Sequence, residues 1–247
     1  MTRPLLEICV DTIEGAWVAV EAGADRIELC SALAIGGLTP SAGLMRAAAD
    51  LPVPCHAMIR PRGGHFLYSP GDVAAMLDDI GHARDAGLAG IVTGALTEAR
   101  ALDVAVLRDL LAARGSMQAT LHRAVDLVPD ASAAVEAAIA LGFDRILTSG
   151  GAARVGDGLP RLAQMADAAR GRIEIMPGGG VTPALAPRLL ALPGIDALHA
   201  SGAAPVSLPA TLFDGLGFEA EGQRREAHAP AIRALRDAMD ELERNCA

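Results

Sequence analysis

The sequence predicts an α/β protein, a (β/α)8 TIM-like barrel in which eight parallel strands alternate with helices within one domain, residues 1–247. The first observation behind this prediction is a repeated joint, in which a helix ends at a glycine and a short apolar strand begins a few residues later. The joint occurs at Gly23, Gly87, Gly142 and Gly194, and glycine is the residue that most readily adopts the left-handed conformation ending a helix. The second observation is that eight apolar runs follow one another without a long gap, which favours a closed barrel over an open sheet.

The predicted strands are short and apolar, and they cover residues 5–10, 26–30, 55–60, 90–95, 118–123, 145–149, 174–177 and 197–201. Helix starts are predicted at the capping residues Ser69, Asp103, Asp130 and Thr182. The stretch 203–229 is rich in Gly, Pro and charge, and we predict a loop that caps one end of the barrel. A C-terminal helix is predicted at 230–245, with apolar residues along one face.

Composition excludes several classes of function. A net charge of −9 and an aromatic content of 2% argue against a nucleic-acid partner. No run of about 18 uncharged apolar residues is present to span a membrane, and an acid at position 7 interrupts any signal-peptide pattern. We therefore expect a cytoplasmic protein without a membrane segment. All 21 basic residues are arginine, which excludes Schiff-base and P-loop lysine chemistry.

Polar residues recur inside the predicted strands, and burying them under helices without partners would cost several kcal/mol each. We therefore assign them to the barrel interior, where active sites lie at the carboxyl ends of the strands. The inward set is Glu7, Cys9, Glu28, Cys30, Arg60, Thr93, His122, Thr148 and His199.

Glu7 and Glu28 fall on neighbouring strands, and pairing them side by side predicts Cβ atoms roughly 5 Å apart. Two carboxyl groups at that separation share a proton, bind a cation or pair with a base such as Arg60. Glu7 and Glu28 are thus candidate acid–base residues. The alternative is a buried Glu–Arg network that only stabilises the barrel.

Cys9 and Cys30 follow two residues later on the same strands, which predicts neighbouring thiols near the mouth of the barrel. Two thiolates in this arrangement can hold a soft ion such as Cu(I). Packing as small apolar residues is the competing interpretation. No C-x-x-C pair occurs, so a disulfide framework is not expected.

Three segments suggest a site for an anion. Arg60 and Arg62 flank a proline after strand three and present guanidinium groups suited to carboxylate or phosphate. Strands six to eight end in small polar and glycine residues, as in phosphate sites of barrels, although barrels also use glycine merely to turn. These candidate residues are Thr148, Ser149, Gly178, Gly179, Gly180, His199 and Ser201.

Strand five ends in a candidate catalytic pair. His122 is a candidate general base or metal ligand, and Asp126 is the carboxylate expected to orient it. A histidine satisfied within the core is the alternative.

Taken together, these segments closely resemble the CutC family, which is named for copper homeostasis. The resemblance runs from about residue 5 to 201 and lies in E-I-C at 7–9, D-R-I-E-L-C at 25–30, G-G-L-T-P-S at 36–41, I-R-P-R-G-G at 59–64, H-R-A at 122–124 and the glycine loop 178–181. It implies a cytoplasmic barrel, a homo-oligomer such as a dimer or tetramer, and Cys9 and Cys30 as the Cu(I) positions.

Two functions follow as hypotheses. The first is intracellular copper handling through Cu(I) at Cys9 and Cys30, as the family resemblance implies. The second is an enzyme, an isomerase, epimerase, hydrolase or lyase without a Schiff base, acting on a small anionic sugar or polyol. Glu7, Glu28 and His122 would then exchange protons, and Arg60 and Arg62 would hold the anion.

Overall fold

The computed structural model describes residues 3–206 and 224–246. Eight parallel strands form one sheet in the order β7-β6-β5-β4-β3-β2-β1-β8, so that β7 and β8 face each other across the seam of a nearly closed barrel. The strands are β1 Leu5–Val10, β2 Arg26–Leu29, β3 Cys55–Met58, β4 Gly90–Thr93, β5 Gln118–Leu121, β6 Arg145–Thr148, β7 Glu174–Pro177 and β8 Ala197–Ala200.

Helices alternate with these strands around the outside of the barrel. They are α1 Ile13–Glu21, α2 Ala42–Ala48, α3 Pro70–Asp85, α4 Val104–Ala113, α5 Ala131–Leu141, α6 Leu159–Ala169, α7 Ala186–Leu190 and α8 Ala229–Cys246. Three short 3₁₀ turns, Leu33–Ile35, Arg123–Leu127 and Val155–Asp157, follow β2, β5 and β6. None of the described helices is long and apolar enough to cross a membrane.

The local predictions of element boundaries are largely confirmed. Every strand begins at its predicted residue, and the four joint glycines all have positive φ, between 80° and 104°. Ser69, Asp103 and Asp130 cap their helices through side-chain oxygens, as predicted. The start predicted at Thr182 is wrong, because residues 183–185 form a turn and α7 begins only at Ala186.

The predicted loop 203–229 contains structure at both of its ends. Strand β9, Ala203–Pro205, pairs antiparallel with β10, Arg225–Ala227, so the segment leaves and returns as a two-stranded ribbon. The rest of that prediction, residues 207–223, lies outside the described residues. The C-terminal helix is confirmed, one residue longer at each end than the predicted 230–245.

The two faces of the sheet differ in polarity. Outward side chains such as Leu6, Ile8, Ile27 and Leu29 are fully buried against the helices and form the main hydrophobic core. Inward positions carry most of the buried charge, as predicted. Thr148 is an exception: in register with Pro177, it bonds Met165 of α6 at 3.7 Å and therefore lies on the helix side.

Thr93 is a second exception. It follows Val92, the inward-facing residue of β4, and is in register with Leu121, so its side chain faces outward. Its hydroxyl donates to the Ile59 carbonyl at 3.3 Å. A hydroxyl can form its hydrogen bond with a nearby backbone group or with one side chain from elsewhere in the fold. The polarity of a threonine therefore does not by itself place its side chain in the barrel interior.

Neighbouring strands are staggered more than the sequence suggested. Glu7 is in register with Arg26 and with His199, whereas Glu28 is in register with Cys9. The predicted side-by-side pair of Glu7 and Glu28 is therefore wrong by two residues. Barrel closure requires this displacement along the strands, and it places Glu7 one layer below Glu28.

The interior at the amino ends of the strands is filled by a floor cluster, Glu7, Arg26, His56, Arg145 and Glu174. Arg26 pairs with Glu7 and lies 3.1 Å from Glu174, and Arg145 lies 3.3 Å from the same Glu174 carboxylate. Both guanidinium groups thus have carboxylate partners, and the cluster closes the barrel from below.

Candidate functional site

A cavity of about 240 Å³ opens at the carboxyl end of the barrel, where enzymes with this fold place their active sites. Eight of the residues predicted from sequence line it together: Cys9, Glu28, Arg60, His122, Gly179, Gly180, His199 and Ser201. The other lining residues are Leu33, Gly36, Met58, Phe66, Arg123, Leu147 and Ala200. Of these, sequence reasoning proposed a role for Met58 alone, as a thioether that could add to Cys9 and Cys30 around Cu(I). The barrel therefore brings more than half of the predicted residues to one place.

Glu7 lies beneath the cavity as the link between floor and mouth. It is fully buried, accepts from the Arg26 guanidinium, and its Oε1 lies 2.8 Å from Nδ1 of His199. Burial alone would raise the pKa of Glu7, but the positive charges of Arg26 and His199 prevail and lower it far below its usual range. Glu7 is thus a permanent carboxylate that orients His199.

His199 joins Glu7 to the cavity. Its Nε2 lies 3.8 Å from Oε2 of Glu28, while Nδ1 is held by Glu7. Burial opposes the charged imidazolium, but Glu28, Cys9 and Glu7 together raise the pKa of His199 well above 6.5. Without a bound ligand, His199 is therefore a cation between two carboxyl groups.

Glu28 is the carboxyl group that lines the cavity itself. Burial raises its pKa, an effect that the nearby positive charge of His199 only partly offsets. Its Oε2 accepts from the Cys30 thiol at 3.5 Å, but Oε1 is buried and has no hydrogen-bond partner in the part of the chain that the structure describes. A raised pKa and an unpaired oxygen suit a group that exchanges protons with a ligand.

The two predicted copper ligands lie in different environments. Cys9 lines the cavity, whereas Cys30 is fully buried among Met58, Val92 and Leu33. A Cβ on Gly37 would lie 3.1 Å from the Cys30 sulfur, so the loop after β2 covers this thiol. Burial raises the pKa of Cys30 well above 9, which disfavours the thiolate that a metal requires.

The donor atoms that do converge belong to Cys9, Glu28 and His199, which lie within 4.8 Å of one another. Sulfur and imidazole nitrogen suit a soft ion, while the carboxylate oxygen suits a harder one. Glu7 behind His199 completes a carboxylate–histidine–metal arrangement, which fixes Nε2 as the ligating atom once that nitrogen is deprotonated. These three residues fit a small metal ion without the participation of Cys30.

Arg60 forms the opposite side of the mouth and is only 6% exposed. Its Nη1 donates to the Ile35 and Gly37 carbonyls at 3.1 and 3.0 Å, and its Nη2 donates to Gly64 at 2.9 Å. No carboxylate pairs with this guanidinium among the described residues, and its Nε has no partner there. The alternative prediction, in which Arg60 neutralises Glu7 or Glu28, is therefore wrong.

Arg62 does not reach the cavity. It pairs with Asp72 of α3 at 3.1 Å, donates to the carbonyl groups of Gly63, His65 and Leu67, and its guanidinium lies 5.4 Å from the centre of the Tyr68 ring. Its guanidinium group thus holds the loop after β3, and the structure does not place it with Arg60 at the cavity as the sequence predicted.

His122 and Asp126 are separated rather than paired. Asp126 accepts from Arg123 at 2.9 Å, from Thr148 at 2.5 Å, from the Ser149 hydroxyl and from the Ser149 and Gly151 amides. This carboxylate therefore occupies the polar turn after β6, and it leaves Thr148 and Ser149 committed to a protein anion. The predicted orientation of His122 by Asp126 is wrong.

The glycine loop after β7 supplies backbone donors. Gly179 and Gly180 line the cavity with φ of 95° and 90°, and Gly178 instead packs under Leu147 and His199. The amides of Gly179, Gly180 and Ser201 donate no hydrogen bond within residues 3–206 and 224–246. Free amides beside a cavity suit an anionic oxygen.

Two residues missed from the sequence shape the site. The ring of Phe66 contacts both the Arg60 guanidinium and the His122 ring, at 5.1 and 4.9 Å. Gly94 gives His122 its space, because a Cβ there would lie 2.6 Å from the ring. Gly94 follows β4 at an inward-facing position. The alternation of inward and outward residues along the strand is the feature of the sequence that could have identified it.

Comparison with known proteins places this barrel in a family. The CutC family model matches residues 4–204. A CutC protein from Sinorhizobium medicae is 48% identical over 242 residues, 98% of this chain and 98% of the relative. A CutC protein from Caulobacter vibrioides is 46% identical over 239 residues, 95% of this chain and 98% of the relative.

Comparison with solved structures leads to the same family. A CutC structure from Streptococcus agalactiae, which carries the name copper homeostasis protein, matches with a TM-score of 0.77 and 31% identity, over 80% of this chain and 98% of that chain. A phosphoribosylanthranilate isomerase from Thermotoga maritima matches with a TM-score of 0.58 and 15% identity, over 96% of this chain and 99% of that chain, which shows a shared fold alone. The resemblance inferred from the motifs is confirmed: the chain belongs to the CutC family.

Proposed function

We propose that this protein is a barrel enzyme that acts on a small anionic sugar or polyol. One observation carries the proposal: three residues that line the cavity each keep a buried polar atom without a hydrogen-bond partner in the described structure. These atoms are Glu28 Oε1, Arg60 Nε and His122 Nε2. Each unmet buried group costs roughly 1–3 kcal/mol, and a ligand carrying donors and acceptors would remove that cost.

The charges inside the barrel favour a negative ligand. Arg26, Arg60, Arg145 and His199 are positive, and the acidic side chains facing them are Glu7, Glu28 and Glu174. The positive excess lies at Arg60, whose hydrogen bonds within the described residues all go to carbonyl oxygens.

The reaction that suits these residues is proton transfer. Glu28 exchanges a proton with the ligand, His199 stabilises the charge on Glu28, and Glu7 fixes the orientation of His199. Arg60 and the amides of Gly179 and Gly180 bind the anion. Isomerase, epimerase, hydrolase and lyase chemistry all remain open to this set, whereas the absence of lysine excludes a Schiff base.

The test is a screen for turnover by proton NMR in D₂O, with sugar and polyol phosphates and carboxylates as substrates. We expect conversion or proton exchange of at least one compound by the wild type, and its loss in Glu28→Gln and Arg60→Met. Arg172→Met is the control, since Arg172 pairs with Glu136 on the exposed surface and does not line the cavity. Turnover retained in both Glu28→Gln and Arg60→Met contradicts the assignment.

A second candidate is Cu(I) binding, with cytoplasmic copper handling as its purpose. It is supported by the convergence of Cys9, Glu28 and His199 and by the copper name that a relative carries. Copper would be the cargo, held by the sulfur of Cys9 and by Nε2 of His199, two donors that suit Cu(I).

A competition titration against a chromophoric Cu(I) chelator, under anaerobic reducing conditions, tests this second candidate. Cys9→Ser is expected to lose tight binding, whereas Cys30→Ser and Arg60→Met are expected to keep it. Equal Cu(I) affinity in the wild type and in Cys9→Ser would show that copper does not bind at this site. Both candidate functions are compatible with the homo-oligomer that the family resemblance implies. Light scattering measures the oligomeric state.

A further inference from the structure

The His122 ring is held in one orientation by three contacts. The amide of Ala124 donates to Nδ1 at 3.2 Å, because His122 caps the 3₁₀ turn Arg123–Leu127. One edge of the ring lies against the bare backbone of Gly94. The ring of Phe66 packs against it at 4.9 Å with an interplanar angle of 49°. The ring therefore has no room to rotate.

This arrangement determines which nitrogen carries the hydrogen. A backbone amide can only donate, so Nδ1 is the acceptor and the hydrogen of the neutral ring lies on Nε2. Burial lowers the pKa of His122 to about 4, and the Arg60 charge acts in the same direction. Near neutral pH, His122 is thus an uncharged donor rather than a general base.

Arg60 offers the complementary donors beside it. Of its five N–H groups, three donate to the carbonyls of Ile35, Gly37 and Gly64. The Nε hydrogen has no partner among the described residues. Phe66 contacts both Arg60 and His122, and all three residues line the cavity, so the two side chains offer their donors around one aromatic ring.

The chemistry of these donors matches a carboxylate more closely than a phosphate. A planar guanidinium can donate two parallel bonds to the two oxygens of a carboxylate. One guanidinium charge balances one carboxylate charge, whereas a phosphate monoester carries about −1.5 to −2 at neutral pH and needs further cations. His122 adds a neutral donor and no charge.

We propose that Arg60, His122 and Phe66 form a carboxylate subsite that takes an α-hydroxy or α-oxo acid. Arg60 binds the carboxylate, Phe66 packs against its plane, and Nε2 of His122 donates to the α-oxygen. The inference rests on the proposed function and names the anionic group of its substrate. His122 is then a neutral donor that selects and polarises this oxygen.

The test follows the histidine side chains of ¹⁵N-labelled protein in long-range ¹H–¹⁵N spectra at pH 7, with His122→Gln to assign the signal. Glycolate, ethylene glycol and inorganic phosphate are the probes. We expect His122 to have its hydrogen on Nε2, and its Nε2 signal to shift with glycolate, saturably. Ethylene glycol and phosphate are expected to leave it unchanged, and Arg60→Met is expected to abolish the glycolate shift.

His56 is an internal control for this experiment. It is fully buried, its Nδ1 lies 3.3 Å from the Arg145 guanidinium, and its Nε2 also has no partner in the described chain. It therefore has the same tautomer but does not line the cavity, so its signal stays fixed. An unchanged His56 signal in Arg60→Met also shows that the variant is folded.

Three results overturn the inference. A hydrogen on Nδ1, or a charged His122 at pH 7, removes the neutral donor. A shift with phosphate but none with glycolate makes this part of the cavity a phosphate subsite and leaves the proposed enzyme intact. No shift with either anion, together with no turnover in the substrate screen, removes both the subsite and the proposed function.

Discussion

The floor cluster and the mouth of the barrel contain the same kinds of buried charged side chain, but the two regions differ in how those charges are paired. In the floor cluster, Arg26 and Arg145 each contact a carboxylate. At the mouth, Arg60 is also buried but contacts no carboxylate among the described residues, and its hydrogen bonds go to carbonyl oxygens. The floor is neutralised from within the protein, whereas the charge at the mouth is left for a ligand.

The comparison teaches that burial of charge does not by itself indicate function. Each region contains a buried glutamate and a neutral histidine whose Nε2 has no partner among residues 3–206 and 224–246. What separates them is whether an opposite charge within the protein is already present and whether a cavity is adjacent. Substitutions matched between the two regions test this difference.

The largest expected effect is at the floor. Glu7→Gln removes the counter-charge of Arg26 and His199, and a buried cation without its partner destabilises a protein by roughly 3–5 kcal/mol. Urea denaturation at pH 7 measures the loss in the free energy of unfolding. A loss below about 1 kcal/mol would mean that the floor is not held by these charges.

Gly90, the first residue of β4, and Gly94, which directly follows that strand, provide the next pair. A Cβ on Gly90 would lie 2.7 Å from the His56 ring, and a Cβ on Gly94 would lie 2.6 Å from the His122 ring. Each alanine substitution should cost roughly 1–3 kcal/mol through overpacking. Only Gly94→Ala should also impair ligand binding at the mouth; equal binding by both variants would contradict the difference between the regions.

The dependence of stability on pH tests what the two regions share. Burial lowers the pKa of His56 to about 3 and of His122 to about 4 from 6.5, so the unfolded chain takes up protons first as the pH falls. Each histidine therefore stabilises the fold above pH 6.5, and that contribution is lost as the pH falls towards the folded pKa. The pKa of His199 is raised, so its contribution to stability depends on pH in the opposite direction: it is present at low pH and is lost as the pH rises through the folded pKa.

Between pH 6.5 and 4.5 the loss should be about 2 kcal/mol for each neutral histidine, given its lowered pKa. His56→Gln and His122→Gln should each flatten the curve of unfolding free energy against pH by this amount. An unchanged slope in His122→Gln would show that His122 takes up its proton at the same pH in the folded and the unfolded protein, so that burial does not lower its pKa.

The smallest expected effect on stability is at Glu28. Because burial raises its pKa, the neutral isostere in Glu28→Gln should change the unfolding free energy by less than about 1 kcal/mol. Turnover should nevertheless be lost. A destabilisation as large as that of Glu7→Gln would assign Glu28 to the floor network instead.

Much of the fold could be predicted because its signals are local. The apolar runs predicted the start of each of the eight barrel strands, four of them after the joint glycines, and capping side chains predicted three helix starts. The stagger between β1 and β2 could not be predicted, since register in a barrel is set by closure of the whole sheet. That stagger is what separates Glu7 from Glu28.

The site was predictable as a set of residues but less so as a set of contacts. Parity correctly placed Glu28, Arg60, His122 and His199 around one cavity. Apart from Arg123, the partners of Asp126 lie at the end of β6 and in the turn after it, more than twenty residues away, and nothing local to Asp126 indicates them. The tautomer of His122 depends in the same way on a folded 3₁₀ turn.

The central claim is that the unpaired charge of Arg60 awaits an anionic ligand, and calorimetric titration of 2-phosphoglycolate tests it most directly. This probe carries both a carboxylate and a phosphate, so it can engage Arg60 and the glycine-loop amides together. We predict one site per chain in the wild type and binding at least roughly 30-fold weaker in Arg60→Met, since losing one partner of a buried charge pair costs about 2 kcal/mol or more. Equal affinity in the two proteins would contradict the claim.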